Sequence, residues 1–167
     1  LEGVKAGAHG IHLTVNGMGE RAGNAPLASA VAVLNDFLPS VKTSVDEASL
    51  YKVSKLVETF SGVRIPSNKP VVGENVFTQT AGIHADGDKK NKLYFSDLMP
   101  ERFGRQRKYA LGKTSGKANI ENNLAQLGIH LSESDLKLVT QRIIELGDRK
   151  EVVTQADLPY IISDILD

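Results

Sequence analysis

One stretch decides the fold of this chain: Gly17-Met18-Gly19-Glu20-Arg21-Ala22-Gly23-Asn24. Before it, residues 10–15 (Gly-Ile-His-Leu-Thr-Val) predict a short buried strand, and after it residues 26–37 predict a helix. The glycine-rich loop is therefore expected at the C-terminal end of a strand. In parallel α/β folds, active sites lie at this end of the strands.

The residue types of the loop indicate a binding role. Glycine lets the backbone approach a bound molecule closely and adopt positive φ, so the three glycines favour a ligand. Asn24 is expected to cap the following helix and to offer a carbonyl oxygen to a cation. Glu20 and Arg21 are expected to pair with each other or with a substrate. The alternative is a strand-to-helix turn in which the glycines serve geometry alone and the charges are solvated.

Two blocks of sequence carry a family resemblance. The loop closely resembles the G-x-G-E-R-x-G-N loop of the 2-isopropylmalate, citramalate and homocitrate synthase family. Residues 77–87 (Phe-Thr-Gln-Thr-Ala-Gly-Ile-His-Ala-Asp-Gly) are similar to the S-G-x-H-x-D-G segment of that family. The similarity continues through Asn91, Tyr94, Pro100-Glu101 and residues 112–117, and residues 84–116 look most like the citramalate synthase branch. The resemblance covers essentially the whole chain.

The resemblance implies an architecture. The family's fold is a TIM barrel followed by two small linker subdomains, so the chain is expected to be mainly α with a small α/β part. Residues 1–62 would form the C-terminal end of the TIM-barrel catalytic domain, residues 63–114 linker subdomain I and residues 115–167 helical linker subdomain II. The chain begins at Leu1 and not at a methionine. It is therefore expected to be a truncated piece of a longer protein that carries the rest of the barrel.

The resemblance also implies a reaction, in which acetyl-CoA condenses with a 2-oxo acid in leucine or isoleucine biosynthesis. A divalent metal (Mg, Mn or Zn) would polarise the ketone, and a base would remove a proton from the thioester. The family assigns site residues by position: His84, Tyr94 and Glu20 to catalysis, Gly17, Gly19 and Arg21 to substrate and CoA binding, and Asn24 to the metal. A homodimer is implied, with His84 acting in the partner subunit's barrel.

Serine and threonine residues predict where the later helices begin. The expected N-caps are Ser44, Ser115, Ser132 and Thr154. The first of these helices carries one apolar stripe, which consists of Leu50, Val53, Val57 and Phe60. Burial of such a stripe contributes about 1.5–3 kcal/mol per side chain, so it needs a partner surface.

Composition limits the class of protein. A chain of 167 residues with 41% hydrophobic content is ordinary for a globular domain. Twenty basic residues balance twenty acidic ones, so no electrostatic footprint for nucleic acid or an anionic membrane is present. The absence of cysteine excludes disulfides and thiolate catalysis and is typical of a cytoplasmic protein. No apolar run approaches membrane-spanning length. The resemblance implies small-molecule substrates, acetyl-CoA and a 2-oxo acid, as partners.

Three functions remain open from the sequence. The first is the C-terminal part of a citramalate or 2-isopropylmalate synthase, and the second is a homocitrate synthase-like enzyme. These two differ in pocket residues upstream of Leu1. The third is a non-catalytic interaction module made of the helices alone, for which no relation between Asn24 and His84 is expected.

Overall fold

A computed structural model describes residues 1–41, 43–79 and 96–166. Its helices are α1 (Glu2–Lys5), α2 (Leu27–Phe37), α3 (Leu50–Ser61), α4 (Lys117–Gln126), α5 (Glu133–Asp148) and α6 (Leu158–Leu166). Short 3-10 turns occupy Val15–Gly17, Glu47–Ser49, Pro100–Phe103 and Gln155–Asp157. Strands β1 (Thr78–Gln79) and β2 (Lys108–Tyr109) pair in parallel, with Thr78 opposite Lys108. The prediction of a mainly helical chain with a small α/β part is confirmed.

The chain divides into two compact units. The first comprises the described residues of 1–77 and 96–106, and the second comprises those of 78–95 and 107–167. The three-part division at residues 62 and 114 that the resemblance implies stays a prediction. No helix in the described part of the chain is long and apolar enough to cross a membrane.

The first unit is built around α2, which begins and ends as predicted. Val31 and Leu34 on its apolar face are only 2% and 6% exposed. The core around this helix consists of Ala28, Val31, Ala32, Leu50, Val71, Val72 and Phe103. The segments after α3 therefore return to cover α2, and the glycine-rich loop lies directly before the helix that they hold in place.

Residues 10–15 do not form the predicted buried strand. Thr14 makes one isolated parallel bridge, with Pro26, and Ile11 is 46% exposed. A strand is stable only when neighbouring strands satisfy its backbone hydrogen bonds, and the described residues provide no such neighbours. Residues 10–15 have the apolar pattern of a strand, but the part of the chain that the structure describes contains no strand to pair with them.

Helix α3 buries a different face from the predicted stripe. Leu50 is buried, whereas Val53 is 38% and Phe60 is 81% exposed. The buried positions of the helix body are Ser54 and Glu58. The main-chain carbonyl of Ser54 accepts a hydrogen bond from an asparagine side chain, and Glu58 Oε1 accepts one from the peptide N–H seven residues later. Only Leu50 of the predicted stripe is buried, because the described residues leave Val53 and Phe60 uncovered.

Of the four caps predicted for the later helices, two are confirmed. Ser132 Oγ accepts a hydrogen bond from the Asp135 N–H at the start of α5. Thr154 and Asp157 form a reciprocal capping box, and the Thr154 N–H donates to Asp157 Oδ2 at 2.7 Å. The hydrogen bonds from Thr154 lower the pKa of the Asp157 carboxyl. These caps were predictable because both partners lie within one turn of sequence.

The other two caps are wrong. Asp46, and not Ser44, opens the turn before α3, where its Oδ1 accepts from the N–H two residues on. Asp46 lies nearer the helix start, and aspartate is as good a cap as serine. Ser115 does not cap α4, which has Gly116 at the cap position. Instead, Ser115 Oγ accepts a hydrogen bond from the Gly112 N–H at 2.9 Å.

In the second unit α5 packs against both α4 and α6, and α4 also contacts β2. Its core consists of Ile120, Leu124, Leu136, Val139, Ile143 and Leu158. Two buried asparagines of α4 satisfy the backbone around β2: Asn119 Nδ2 donates to the Ala110 carbonyl at 2.7 Å, and Asn123 Nδ2 donates to the Tyr109 carbonyl at 2.9 Å. Pairing these buried polar groups avoids the free-energy cost that unpaired ones carry.

An arginine links distant parts of the first unit. Arg102 donates to both carboxylate oxygens of Glu47, at 2.6 and 2.7 Å, and to Asp36 Oδ1 at 2.6 Å. The hydrogen bonds from Arg102 hold the pKa of the Glu47 carboxyl below its ordinary value, against the opposing effect of burial. A bidentate arginine–carboxylate pair is stronger than a single contact between charges.

We expect Arg102→Met to lower the free energy of unfolding by about 1–2 kcal/mol at pH 7. Because the pKa of Glu47 is depressed in the folded state, the stabilisation is present above the unfolded carboxyl pKa and is lost as pH falls through the folded one. The difference between wild type and variant should therefore shrink below about pH 4.3. Urea unfolding at several pH values measures it. Lys5→Met, which breaks the exposed Lys5–Glu2 pair, is the control. A difference that is constant with pH would contradict the prediction.

Candidate functional site

The glycine-rich loop closes on itself through its backbone. The Asn24 N–H donates to the Gly17 carbonyl and the Gly23 N–H donates to the Glu20 carbonyl, both at 2.9 Å. Arg21 adopts a positive φ of 54°, which is uncommon for a residue with a side chain. The loop is therefore a defined turn between the bridge at residue 14 and α2.

The loop's own packing requires at least two of its glycines. A Cβ on Gly23, which has φ of +81°, would lie 2.3 Å from the Gly17 carbonyl oxygen. A Cβ on Gly19 would lie 2.1 Å from Asn24 Nδ2. Both distances are far below van der Waals contact. The geometric alternative from the sequence thus accounts for the absence of side chains at these two positions, and the groups left to contact a ligand are the loop's main-chain groups and polar side chains.

Asn24 holds the loop closed and does not cap the helix. Its Nδ2 donates to the Met18 carbonyl at 3.0 Å, while Pro26 occupies the N-cap position of α2 without a side-chain cap. The predicted cap is therefore wrong, because the Asn24 amide makes a hydrogen bond within the loop and none to the start of α2. Since its nitrogen is engaged, the exposed Asn24 side chain has its carboxamide oxygen left to accept a hydrogen bond or to bind a cation.

Glu20 and Arg21 lie at the outer edge of the loop, and both are exposed. The described residues contain no ion pair between them or with another side chain. The expected mutual pairing is thus not made. A carboxylate and a guanidinium next to each other in one turn remain able to contact a substrate.

Lys69 is a residue near the loop that the sequence did not single out. Its Nζ lies 3.6 Å from the position that a Cβ on Gly17 would occupy. The two residues are far apart in sequence, so no local spacing could have paired them. The available signal was a lysine between Pro66 and Pro70, in a turn that the prolines constrain.

The structure brings five of the seven predicted site residues together in one loop. These are Gly17, Gly19, Glu20, Arg21 and Asn24. His84 and Tyr94 lie outside the described residues. Within residues 1–41, 43–79 and 96–166, no group of three or more histidine, cysteine, aspartate or glutamate side chains could hold a metal ion. Asn24 fits a single position in the coordination sphere of a hard cation, which takes about six oxygen ligands.

Two protein families match consecutive parts of the chain. The family described as HMGL-like matches residues 1–57. The family described as homocitrate synthase post-HMGL domain-like matches residues 71–151. The first match ends within α3 and the second begins at residue 71, and the glycine-rich loop lies inside the first.

Curated relatives match the chain along its whole length. A protein of Methanopyrus kandleri that carries the name (R)-citramalate synthase is 45% identical over 98% of this chain, which is 32% of the relative. One of Archaeoglobus fulgidus with the same name is 42% identical over 98% of the chain and 33% of the relative. A protein of Ignicoccus hospitalis named as a 2-isopropylmalate synthase is 41% identical over 100% of the chain and 42% of the relative. The chain thus spans about a third to two fifths of the length of these relatives.

Proposed function

Because this chain belongs to the family of 2-isopropylmalate and citramalate synthases, we propose that it is the C-terminal part of the catalytic region of an acyltransferase that joins acetyl-CoA to a 2-oxo acid. The observation that carries the proposal is identity of 41–45% along essentially the whole chain to proteins with these names. A homocitrate synthase-like activity is the second candidate, since the family description over residues 71–151 names that enzyme.

The proposed architecture is the end of a TIM barrel (residues 1–62) followed by two linker subdomains (residues 63–114 and 115–167). Two departures from the sequence prediction support it. Residues 10–15 have a strand pattern without strand partners, and α3 exposes an apolar face that includes Val53, Leu56 and Phe60. The remaining strands and helices of a barrel would supply both the missing pairing and the missing cover.

The chemistry proposed for the chain's own residues follows from the loop geometry. Asn24, held by Met18, presents its carboxamide oxygen to a divalent metal, which when bound supplies Lewis-acid polarisation of a ketone. Glu20 offers a carboxylate for proton transfer, and Arg21 offers a guanidinium to an anion. We assign His84 and Tyr94 to proton transfer and the Gly17 and Gly19 backbone to substrate contact on the family resemblance.

The longer protein that contains this chain should release thiol from acetyl-CoA when pyruvate or 2-oxoisovalerate is present with Mg²⁺, Mn²⁺ or Zn²⁺. The isolated 167-residue chain should stay at background. Asn24 alone is one neutral ligand, which is too few for a hard cation or for zinc. Thiol release is followed with a disulfide dye.

Both results bear on the proposal. Turnover by a verified preparation of the isolated chain would show that the missing part is not needed. Thiol release by the longer protein with 2-oxoglutarate, and with neither of the other two acids, would favour the homocitrate synthase-like alternative.

The proposed homodimer predicts complementation between two inactive variants. A mixture of His84→Ala and Asn24→Ala subunits of the longer protein should recover activity, because one site of each mixed dimer would contain intact Asn24 from one chain and intact His84 from the other. With random exchange about half of the dimers are mixed, so the rate per subunit should reach about a quarter of the wild-type rate. Exchange is verified by native mass spectrometry of tagged subunits. If exchange is complete and activity does not rise above that of the single variants, His84 does not act across the dimer.

A further inference from the structure

Lys69 brings a positive charge to the glycine-rich loop from a distant part of the sequence. Its Nζ lies 3.6 Å from the position of a Cβ on Gly17, and that position is 2.9 Å from the main-chain oxygen of Asn24. The ammonium therefore lies against the loop beside Gly17. Because residue 17 has no side chain, the lysine can approach the loop backbone, where the Asn24 main-chain oxygen and the Pro26 side chain surround the position that a Cβ would occupy.

A tight turn fixes the backbone of Lys69. Its N–H donates to the Pro66 carbonyl at 2.9 Å, and its carbonyl accepts from the Gly73 N–H at 2.8 Å. Gly73 has no room for a side chain, since a Cβ there would lie 2.5 Å from the Lys69 nitrogen. Val71 and Val72 anchor the turn in the core, with exposures of 5% and 2%. The lysine is thus presented from a rigid support, which reduces the entropy lost when a ligand binds.

The Lys69 ammonium has no carboxylate partner among the described residues. Ion pairs with aspartate or glutamate are made by other lysines, namely Lys5, Lys55, Lys113 and Lys117. Lys69 is half-buried, so part of its side chain is already covered by the protein. A half-buried ammonium without a counter-ion is suited to an anionic ligand, with which it forms a charge-assisted hydrogen bond.

We propose that Lys69 binds an anionic group of a substrate at this loop, either the carboxylate of the 2-oxo acid or a phosphate of acetyl-CoA. This inference rests on the proposed function, because both proposed substrates are anions. It adds a binding residue outside the loop motif, more than forty residues further along the chain. Lys69 and Arg21 would then supply cationic groups from two separate segments.

The test measures dissociation constants by calorimetry with the longer protein. The probes are CoA and whichever of pyruvate or 2-oxoisovalerate the enzyme turns over. Lys69→Met keeps the stem and removes the charge, Lys69→Arg keeps the charge, and Lys52→Met, at an exposed site on α3, is the matched control. We expect Lys69→Met to raise the dissociation constant of at least one probe by about tenfold or more. The dissociation constants of Lys69→Arg should stay within about threefold of the wild-type values, and those of the control should equal them.

The two sources of the anion are separated by the pattern of losses. If Lys69→Met binds CoA more weakly and the 2-oxo acid with unchanged affinity, Lys69 binds a phosphate. The KM for acetyl-pantetheine, which lacks the nucleotide phosphates, should then be the same in wild type and Lys69→Met. Weaker 2-oxo acid binding with unchanged CoA identifies the carboxylate. In either case, added salt should weaken binding of the affected probe more in wild type than in Lys69→Met.

Several results would overturn the inference. Unchanged dissociation constants for both probes would do so, as would a loss of kcat with unchanged binding, since that would assign Lys69 to the chemical step and not to binding of the substrate. Melting temperatures are measured for every variant, and Lys69→Gln replaces Lys69→Met if the latter does not fold. If the wild-type protein condenses acetyl-CoA and Lys69→Met binds normally, only the inference fails. If the wild-type protein catalyses no condensation, the proposed function fails and the inference falls with it.

Discussion

Replacement of Asn24 by alanine is expected to lower metal-dependent turnover of the longer protein by more than about 100-fold, because even residues that only orient metal ligands are worth about 10–100-fold. The effect on folding should be small. Asn24 is not a helix cap, and the variant loses one exposed hydrogen bond to the Met18 carbonyl, worth about 1 kcal/mol. Turnover, metal affinity and melting temperature are measured on the same preparations.

Two further variants separate a ligand from a structural residue. Asn24→Asp keeps an oxygen at the same position, so it should still bind metal, although it loses the donor to Met18. Asn122→Ala, at a helix position in the second unit, should change neither activity nor metal affinity. If Asn24→Ala loses stability and activity in parallel while metal affinity stays the same, Asn24 serves only to close the loop.

The elements that the sequence predicted correctly are those specified by nearby residues. Helix α5 begins at Ser132 and α6 follows the capping box of Thr154 and Asp157, because each cap joins residues three apart. Helix α3 ends at Gly62, which adopts the left-handed conformation that glycine favours. Such signals need no knowledge of the rest of the fold.

The wrong predictions depended on surfaces far away in sequence. The pattern of residues 10–15 suits a strand, but pairing requires partners that the described chain does not provide. The apolar stripe of α3 is also present in the sequence, yet Phe60 on it is 81% exposed. Periodicity shows which residues could be buried together and does not show whether a covering surface is present.

The candidate site divides in the same way. The loop of residues 17–24 was predictable, because its residue types lie side by side. The hydrogen bond from the Asn24 amide to the Met18 carbonyl was not predictable, since an asparagine can equally well cap a helix or close a loop. Lys69 could not be placed near Gly17 from spacing, because the contact depends on how the turn before Val71 packs against α2.

Arg105→Ala is expected to lower the free energy of unfolding by about 3–5 kcal/mol, the largest stability effect we expect from a single change. The guanidinium is buried and donates to the carbonyls of Val71, Gly73 and Glu74, at 3.3, 2.7 and 2.9 Å. It also lies 4.3 Å from the centroid of the Tyr51 ring. Alanine would leave these carbonyls without their donor and open a cavity in the first unit. Urea unfolding measures the change.

The controls distinguish the shape of the Arg105 side chain from its charge. Arg105→Lys keeps the charge, but one ammonium cannot reach three carbonyls or lie flat on a ring, so it should recover little of the lost stability. Arg149→Ala, at an exposed site, should stay within about 0.5 kcal/mol of wild type. Arg105 donates hydrogen bonds to carbonyls that follow Lys69 in the same turn. Arg105→Lys should therefore also weaken binding of the anionic group that Lys69 contacts. An Arg105→Lys protein as stable as wild type would mean that charge alone holds this turn.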